Sequence, residues 1–249
     1  MNFAPASAAT AADAGAGAGA CPAHAAAGAD GYPGLSVVRN VPVIQQQAID
    51  GHCGLPLREV RVPVANRLGI EGAGFALAPA RLGPGRVHHC MRSIGQCELA
   101  LELMSARAVE RRAFGRTLGD FANVQDWIAH SRVEIDQARI LVLHAAWRMD
   151  TQGNAAARVD VAAIKLVAAQ LQTRVLDRAM QVFGAVGLTP DTPLAQLWSC
   201  GRAMQFLDGP DEVHLRTIAR AELSREGQRG LDESVSATLD AAASGRPAG

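Results

Sequence analysis

Lysine is nearly absent from this 249-residue chain: Lys165 is the only one among 24 basic side chains, and the rest are arginine. With alanine and glycine so abundant, that bias fits a GC-rich coding sequence, so arginine in place of lysine carries no functional weight. Net charge is absent too. Twenty-four basic residues face 24 acidic ones, which argues against a bulk electrostatic binder of nucleic acid or of an acidic membrane. The five cysteines, Cys21, Cys53, Cys90, Cys97 and Cys200, are odd in number and form no CxxC pair. Neither a zinc site nor a complete disulfide framework is expected, and a reducing, cytoplasmic setting fits best. No Lys or Arg precedes Arg39, and the apolar content before it is alanine, so the n-region and h-region of a signal peptide are missing. No run reaches the roughly 18 apolar residues of a membrane span. Aromatics make up only 4%, so the core must come from Ala, Val, Leu and Ile, which a 49% hydrophobic content supplies amply.

Composition divides the chain into four. Residues 1–34 are Ala/Gly-rich without a large apolar anchor and read as a disordered tail. Residues 35–79 carry short β-branched runs, Val37-Val38, Val41-Pro42-Val43-Ile44 and Val60-Arg61-Val62-Pro63-Val64, broken by turn residues. Two or three strands are possible there, too few for a sheet with its own core. From 80 to 223 the apolar residues recur at helical spacing. One stripe runs through Val87, Met91, Ile94, Leu101, Met104 and Ala108, with the helix beginning near Arg86. A second runs through Val124, Ile128, Ser131, Ile135, Ala138, Val142, Ala145 and Met149, and a third through Ile164, Ala168, Leu171, Val175, Ala179 and Val182. Breaks at Phe114-Gly115, Thr151–Asn154, Gly184–Pro193 and Asp208-Gly209-Pro210 leave two shorter helices, at about 192–207 and 210–223. The expected fold is all-α: an up-and-down bundle of four helices with a closing fifth, preceded by a short β remnant. Residues 224–249 return to small and polar types and read as a loose tail, with room for a short helix from Leu231 to Leu239.

Few residues announce chemistry. Asp208-Gly209-Pro210-Asp211-Glu212-Val213-His214 gathers three carboxylates and an imidazole at a helix junction, which reads first as a helix start because free N–H groups favour negative charge. His88 and His89 are adjacent and so point about 100° apart on a helix, the wrong spacing for two ligands of one metal. Cys90 and Cys97 read as core, and Trp127, Trp147 and Trp198 as packing. A four-helix carboxylate metal site would need paired Glu-x-x-His motifs, and Asp211 with His214 supplies one such spacing only.

Four segments taken together resemble the C-terminal half of the flavin-dependent acyl-CoA dehydrogenases. Val60–Gly69 followed by Gly72-Ala73-Gly74-Phe75 is similar to that family's exit from its β-domain. Glu110–Leu118 resembles its Arg-x-x-Phe-Gly-x-x-Leu motif, Gln181–Gly187 its Gln-x-x-Gly-Gly-x-Gly turn, and the Asp208 segment sits where its catalytic carboxylate falls. Arg81–Arg92 together with Asp208–His214 resembles the branch with aspartate in place of glutamate, acting on medium, long or branched acyl-CoA and some hydroxyacyl-CoA.

The resemblance spans roughly Val60 to Leu223 and implies FAD as cofactor, an acyl-CoA substrate, an electron-transfer flavoprotein or similar acceptor, and a homo-oligomer, dimer or tetramer. It makes Asp208 the base that removes the α-proton next to the thioester while the β-hydrogen leaves as hydride. Arg86 would orient that carboxylate and the substrate. Arg111, as phosphate partner, and Phe114, as packing surface, match positions that contact FAD across a subunit interface; Gln181 matches an adenine-side contact. Pro210 and Glu212 fall on positions that touch flavin, and Ala185 stands where relatives carry a glycine close to the cofactor. Ala122 replaces a glutamine that contacts FAD in many relatives, with Gln125 three positions late. No counterpart of the family's N-terminal helical domain, or of most of its β-domain, is recognisable. The rival expectation is therefore a catalytically inert, oligomerising helical subunit.

Overall fold

The computed structural model describes residues 33–42, 44 and 52–243, and it divides into two units, 1–68 and 69–249. The expected disordered tail lies almost wholly outside the described residues. In the first unit two short strands, β1 (Arg39–Asn40) and β2 (Cys53–Gly54), pair antiparallel, Arg39 opposite Gly54, and Leu35 bridges Leu57. The Val60–Val64 run forms no strand; it leads into a single 3-10 turn over Val64–Asn66. Pro63 lacks the N–H that a ladder needs, which explains the failure of a β-branched run to pair.

The second unit is a helical bundle. Helix α1 spans Gly74–Glu110; a hairpin of β3 (Arg112–Ala113) and β4 (Arg116–Thr117) follows. Then come α2 (Ala122–Gln152), α3 (Arg158–Phe183), a 3-10 turn over Gly184–Leu188, α4 (Leu194–Met204) and α5 (Asp211–Ala243). Helix α3 is the axis against which α1, α2, α4 and α5 all pack. Both ends of the bundle outrun the sequence expectation. Helix α1 begins well before Arg86 and carries Gly83-Pro84-Gly85 in its interior. A Cβ on Gly83 would meet the Asn154 side chain at 2.2 Å, so the glycine allows the α2–α3 turn to close on the helix. Helix α5 continues through 224–243, where the small, polar composition includes Ala, Glu and Arg, all good helix formers.

The three apolar stripes form the core. Val124, Ser131, Ile135, Ala138, Val142 and Ala145 of α2 are buried, as are all six stripe positions of α3. On α1, Ile94, Leu101, Met104 and Ala108 are buried while Met91 is 37% exposed; its neighbours Cys90 and Ser93 take the inner face instead. Trp127 and Trp198 pack against this core, but Trp147 is 55% exposed. At the half-buried seams, Glu98 of α1 pairs with Arg132 and Arg139 of α2, and Glu134 of α2 takes both terminal nitrogens of Arg178 on α3, at 3.0 and 3.1 Å. The Arg132–Glu98 and Arg178–Glu134 pairs are bidentate, of the kind that fixes register.

Cys97 is fully buried, and burial pushes its thiol from an ordinary 9.0 up to about 12. Because the folded value is the higher one, the native state keeps a proton the unfolded chain has lost. This contribution is complete below the unfolded value and disappears as pH rises through the folded one. We expect the melting temperature, followed by circular dichroism, to fall between about pH 9 and 12, and the slope to flatten in Cys97→Ala but not at exposed Cys200→Ala. Lys165 acts with the opposite sign, since burial lowers its pKa, so the difference between variants is the diagnostic quantity.

Candidate active site

The turn between α4 and α5 places Asp208 and Gly209 in the left-handed region, at φ of 55° and 105°. Glycine accepts this at no cost, and aspartate is one of the few other residues that does. Helix α4 ends on its own carbonyls, and Asp211 N–H returns to Gln205 O at 3.1 Å, closing the turn, so that Asp211 and Glu212 fall in the first turn of α5. The loop is then held from α1. Arg86 donates from Nε at 3.0 Å and from Nη2 at 2.5 Å to the main-chain carbonyl of Asp208. One turn further along α1, His89 Nε2 lies 3.4 Å from Asp208 Oδ2, with the aspartate side chain 21% exposed.

Three further groups support this loop from below, two of them buried. His214 of α5 is 3% exposed; glycine is favoured at position 209 by its φ, and a Cβ added there would make a tight 3.3 Å contact with His214 Nε2. Burial and then the Arg86 charge hold the His214 pKa below the ordinary histidine value. Lys165 of α3 is fully buried and donates from Nζ to the carbonyl of Met204, the last residue of α4. Burial lowers its pKa, opposed by Cys90, Asp211 and Asp208. Gln170 donates to Asp211 at 3.2 Å.

The remaining candidate residues separate into two groups. Arg111, Phe114, Gln181 and Ala185 line one cleft of about 640 Å³ at the opposite end of the bundle, between the hairpin, the start of α2 and the turn after α3. Pro210 and Glu212 stay with Asp208 and do not line it. The hairpin explains the Phe-Gly pair: its two-residue loop needs positive φ at both positions, and Phe114 (51°) and Gly115 (82°) supply them. A phenylalanine held there is strained, and its ring is 96% exposed over the cleft. Gly187, at the end of the Gln181 turn, is buried, and a Cβ would come within 2.9 Å of Met180 O, so the motif's last glycine is steric.

The cleft's chemistry suits an aromatic nucleotide carrying phosphates. Arg107 and Arg111 offer guanidinium donors, Asn123 and Gln181 amides, and Phe114, Phe121, Trp127 and Phe183 rings. Arg107 Nε is buried without a hydrogen-bond partner among the described residues, and its guanidinium stands 5.4 Å from the Phe183 ring centre. Such an orphaned donor marks a place for an acceptor from outside the chain. Gln125 does not take part: its amide donates to Gly119 O at 2.8 Å.

Motif reading assigns no site role to Arg107, His89, Lys165 or His214; His89 and His214 figure in it as spacings unsuited to a metal site. Among the described residues no group of His, Cys, Asp and Glu is placed to hold a metal ion, and no helix is long and apolar enough to cross a membrane.

A helical bundle of this order, with an aspartate held by its main-chain carbonyl at the α4–α5 turn, is the C-terminal domain of an acyl-CoA dehydrogenase. The model of that domain matches residues 72–223, and the chain belongs to the family. Over 194 residues it is 57% identical to "Probable acyl-CoA dehydrogenase FadE2" of Mycobacterium tuberculosis, covering 78% of this chain and 48% of that protein. It is 48% identical to acyl-CoA dehydrogenase family member 10 of Mus musculus, over 79% of this chain and 18% of that one. The solved butyryl-CoA dehydrogenase of Megasphaera elsdenii superposes with a TM-score of 0.69 at 30% identity, covering 78% of this chain and 50% of the other. The chain thus spans about half the length of the bacterial relative. Members of the family are FAD-binding oxidoreductases acting on CH–CH bonds.

Proposed function

We propose that this bundle serves in the FAD-dependent α,β-dehydrogenation of an acyl-CoA thioester, with Asp208 as the base. The observation that carries the reading is the double hydrogen bond from Arg86 to the Asp208 carbonyl, which fixes the backbone of the residue that the motif resemblance makes the catalytic carboxylate. The α-hydrogen of a thioester is weakly acidic, so its removal needs a carboxylate held in reach and shielded from bulk water. Asp208 takes that proton. A substrate chain lying over the loop displaces the remaining water from a side chain that is only 21% exposed. Pro210 and Glu212, on the same turn, would hold the flavin end of the cofactor. Arg86 keeps its charge beside the loop, where it also favours an enolate-like oxygen.

The bound flavin supplies the acceptor for the β-hydrogen, which leaves as hydride. Arg107 and Arg111 are the phosphate partners, Phe114 the stacking surface, Gln181 the adenine-side contact, and Ala185 the small residue that lets the cofactor approach. Arg86 and Arg107 lie about 30 Å apart along α1, taking 1.5 Å per residue, so one cofactor cannot lie on both sets of residues in one chain. A second copy must supply the cleft for the first copy's Asp208. The exposed apolar row on α2, Val133, Ile140, Leu143 and Trp147, each more than half exposed, gives such an assembly a surface to bury. The acceptor of the electrons is an electron-transfer flavoprotein or a similar carrier, and the setting is reducing and cytoplasmic, as an odd number of cysteines with no CxxC pair suggests.

The test is a visible spectrum. A preparation that takes up FAD and bleaches on addition of a medium-chain or branched acyl-CoA supports the reading, and a colourless one that rejects FAD selects the inert oligomerising subunit. Arg107→Met is expected to weaken FAD uptake at least tenfold by equilibrium titration, because it removes a charge-assisted partner of the phosphates, with the helical circular dichroism unchanged. Unchanged affinity would remove Arg107 from the cofactor contacts.

A further inference from the structure

Arg86, His89 and Arg92 follow one another at intervals of three along α1, and the first two both address Asp208, one at its main chain and one at its side chain. Resting on the reading of Asp208 as the base, we infer that His89 is a positioning residue that donates a hydrogen bond from Nε2 to Asp208 Oδ2 and leaves Oδ1 to meet the substrate.

The tautomer follows from the neighbour on the other side. Arg92 Nη2 lies 3.0 Å from His89 Nδ1. A guanidinium carries donors only, so Nδ1 must accept, and the ring proton of the neutral imidazole is on Nε2, the atom 3.4 Å from Asp208 Oδ2. Neutrality has its own support. Burial, and next the Arg92 charge, hold His89 below the ordinary histidine value, while Asp208 pulls the other way. A second proton on Nδ1 would face the Arg92 donor directly.

The groups around the pair are all accounted for. On α1 they are Arg86, His88, Cys90 and Arg92; from α3 comes Lys165; from the α4–α5 turn and the start of α5 come Asp208, Asp211 and His214. Among them His89 is the side chain whose ring nitrogen stands within ion-pair distance of the Asp208 carboxylate. Arg86 is committed to the carbonyl and Lys165 to Met204.

The 3.4 Å separation is longer than a formed hydrogen bond and suits a contact that tightens when substrate excludes water. No proton is transferred to His89: the α-proton moves to Asp208 and stays there until the product leaves, and the imidazole only orients. An aspartate base has one rotatable bond fewer to reach with than a glutamate, so fixing which oxygen faces the substrate matters more. The neighbouring helix supplies the second fixed point that the backbone clamp alone does not.

The experiment has two arms. In the first, nitrogen-15 histidine NMR of the whole chain reads the tautomer and titration of His89 without any flavin. The expected result is an Nε2–H imidazole whose titration midpoint falls in Asp208→Asn, since the carboxylate that raises it is gone. An Nδ1–H imidazole, or a midpoint indifferent to Asp208→Asn, overturns the inference. In the second, the rate of acyl-CoA-dependent bleaching is followed against pH in the flavin-loaded protein. His89→Leu is expected to slow bleaching about tenfold, because the carboxylate loses the contact that sets which oxygen faces the substrate. His89→Gln, whose amide N–H can occupy the Nε2 position, is expected to restore the wild-type rate. A His89→Leu profile that superimposes on wild type overturns the role of His89 alone. Bleaching that survives in Asp208→Asn defeats instead the reading of Asp208 as base, so the two failures are distinguishable.

Discussion

Asp208→Asn is expected to abolish acyl-CoA-dependent bleaching, by 10³-fold or more in rate, while leaving fold and flavin uptake intact. The size follows from the chemistry: a positioned general base contributes about 10² to 10⁴, and an amide cannot take the α-proton. The fold should survive because the substitution is conservative where it matters. Asp208 sits at φ 55°, a region that asparagine enters as readily as aspartate. Arg86 bonds to the residue's carbonyl, not to its carboxylate, so the clamp is indifferent to the change. The carboxamide can still lie opposite His89. Flavin uptake should be unaffected because the cleft residues stand at the far end of α1. The check is stopped-flow absorbance on flavin-loaded protein. Bleaching at more than a tenth of the wild-type rate would transfer the role of base elsewhere, His89 being the nearest titratable group.

The bundle was legible because burial in it is periodic. The α2 and α3 stripes name most of what those two helices bury, including Ser131, which a count of hydrophobic residues alone would reject. The ends were harder. Gly83-Pro84-Gly85 and the polar run after Leu223 look like helix boundaries, but a tertiary contact overrides the first and strong local propensity the second. Sequence motifs located the cleft and the Asp208 turn separately, since each motif is local. They could not reveal that α1 carries the two about 30 Å apart. Nor could they find side chains whose role depends on a partner distant in sequence. His89 meets Asp208 across |i−j| of more than a hundred, and adjacency to His88 makes it look like a failed metal ligand. Lys165 did leave a trace: the one lysine of a chain that otherwise uses arginine sits fully buried, donating to the Met204 carbonyl. Arg107 left none, because an orphaned Nε is a property of packing.

The second large effect concerns the clamp. Arg86→Met keeps the apolar stem and removes both donors to the Asp208 carbonyl, and we expect bleaching to slow about 100-fold, because misplacing a reacting group by about 1 Å costs that much. Arg86→Lys should recover little of the loss. Nε and Nη2 meet one oxygen from two directions, at 3.0 and 2.5 Å, and an ammonium offers a single point on a flexible stem. The effect should also have a signature distinct from that of Asp208→Asn. With Arg86 gone, the left-handed pair Asp208 and Gly209 loses its tie to α1, and the positive charge that helps keep buried His214 neutral disappears. The His214 titration midpoint should therefore rise in Arg86→Met, whereas in Asp208→Asn the clamp that sets it is still present. Amide hydrogen exchange should quicken across the 205–211 turn in the Arg86 variant and stay slow in the Asp208 variant. A rate loss without faster exchange would assign Arg86 to the substrate oxygen alone; faster exchange with an undiminished rate would show that the turn tolerates motion during proton abstraction. The combination of both is what a positioning clamp requires, because the base can only be as well placed as the carbonyl by which the neighbouring helix holds it.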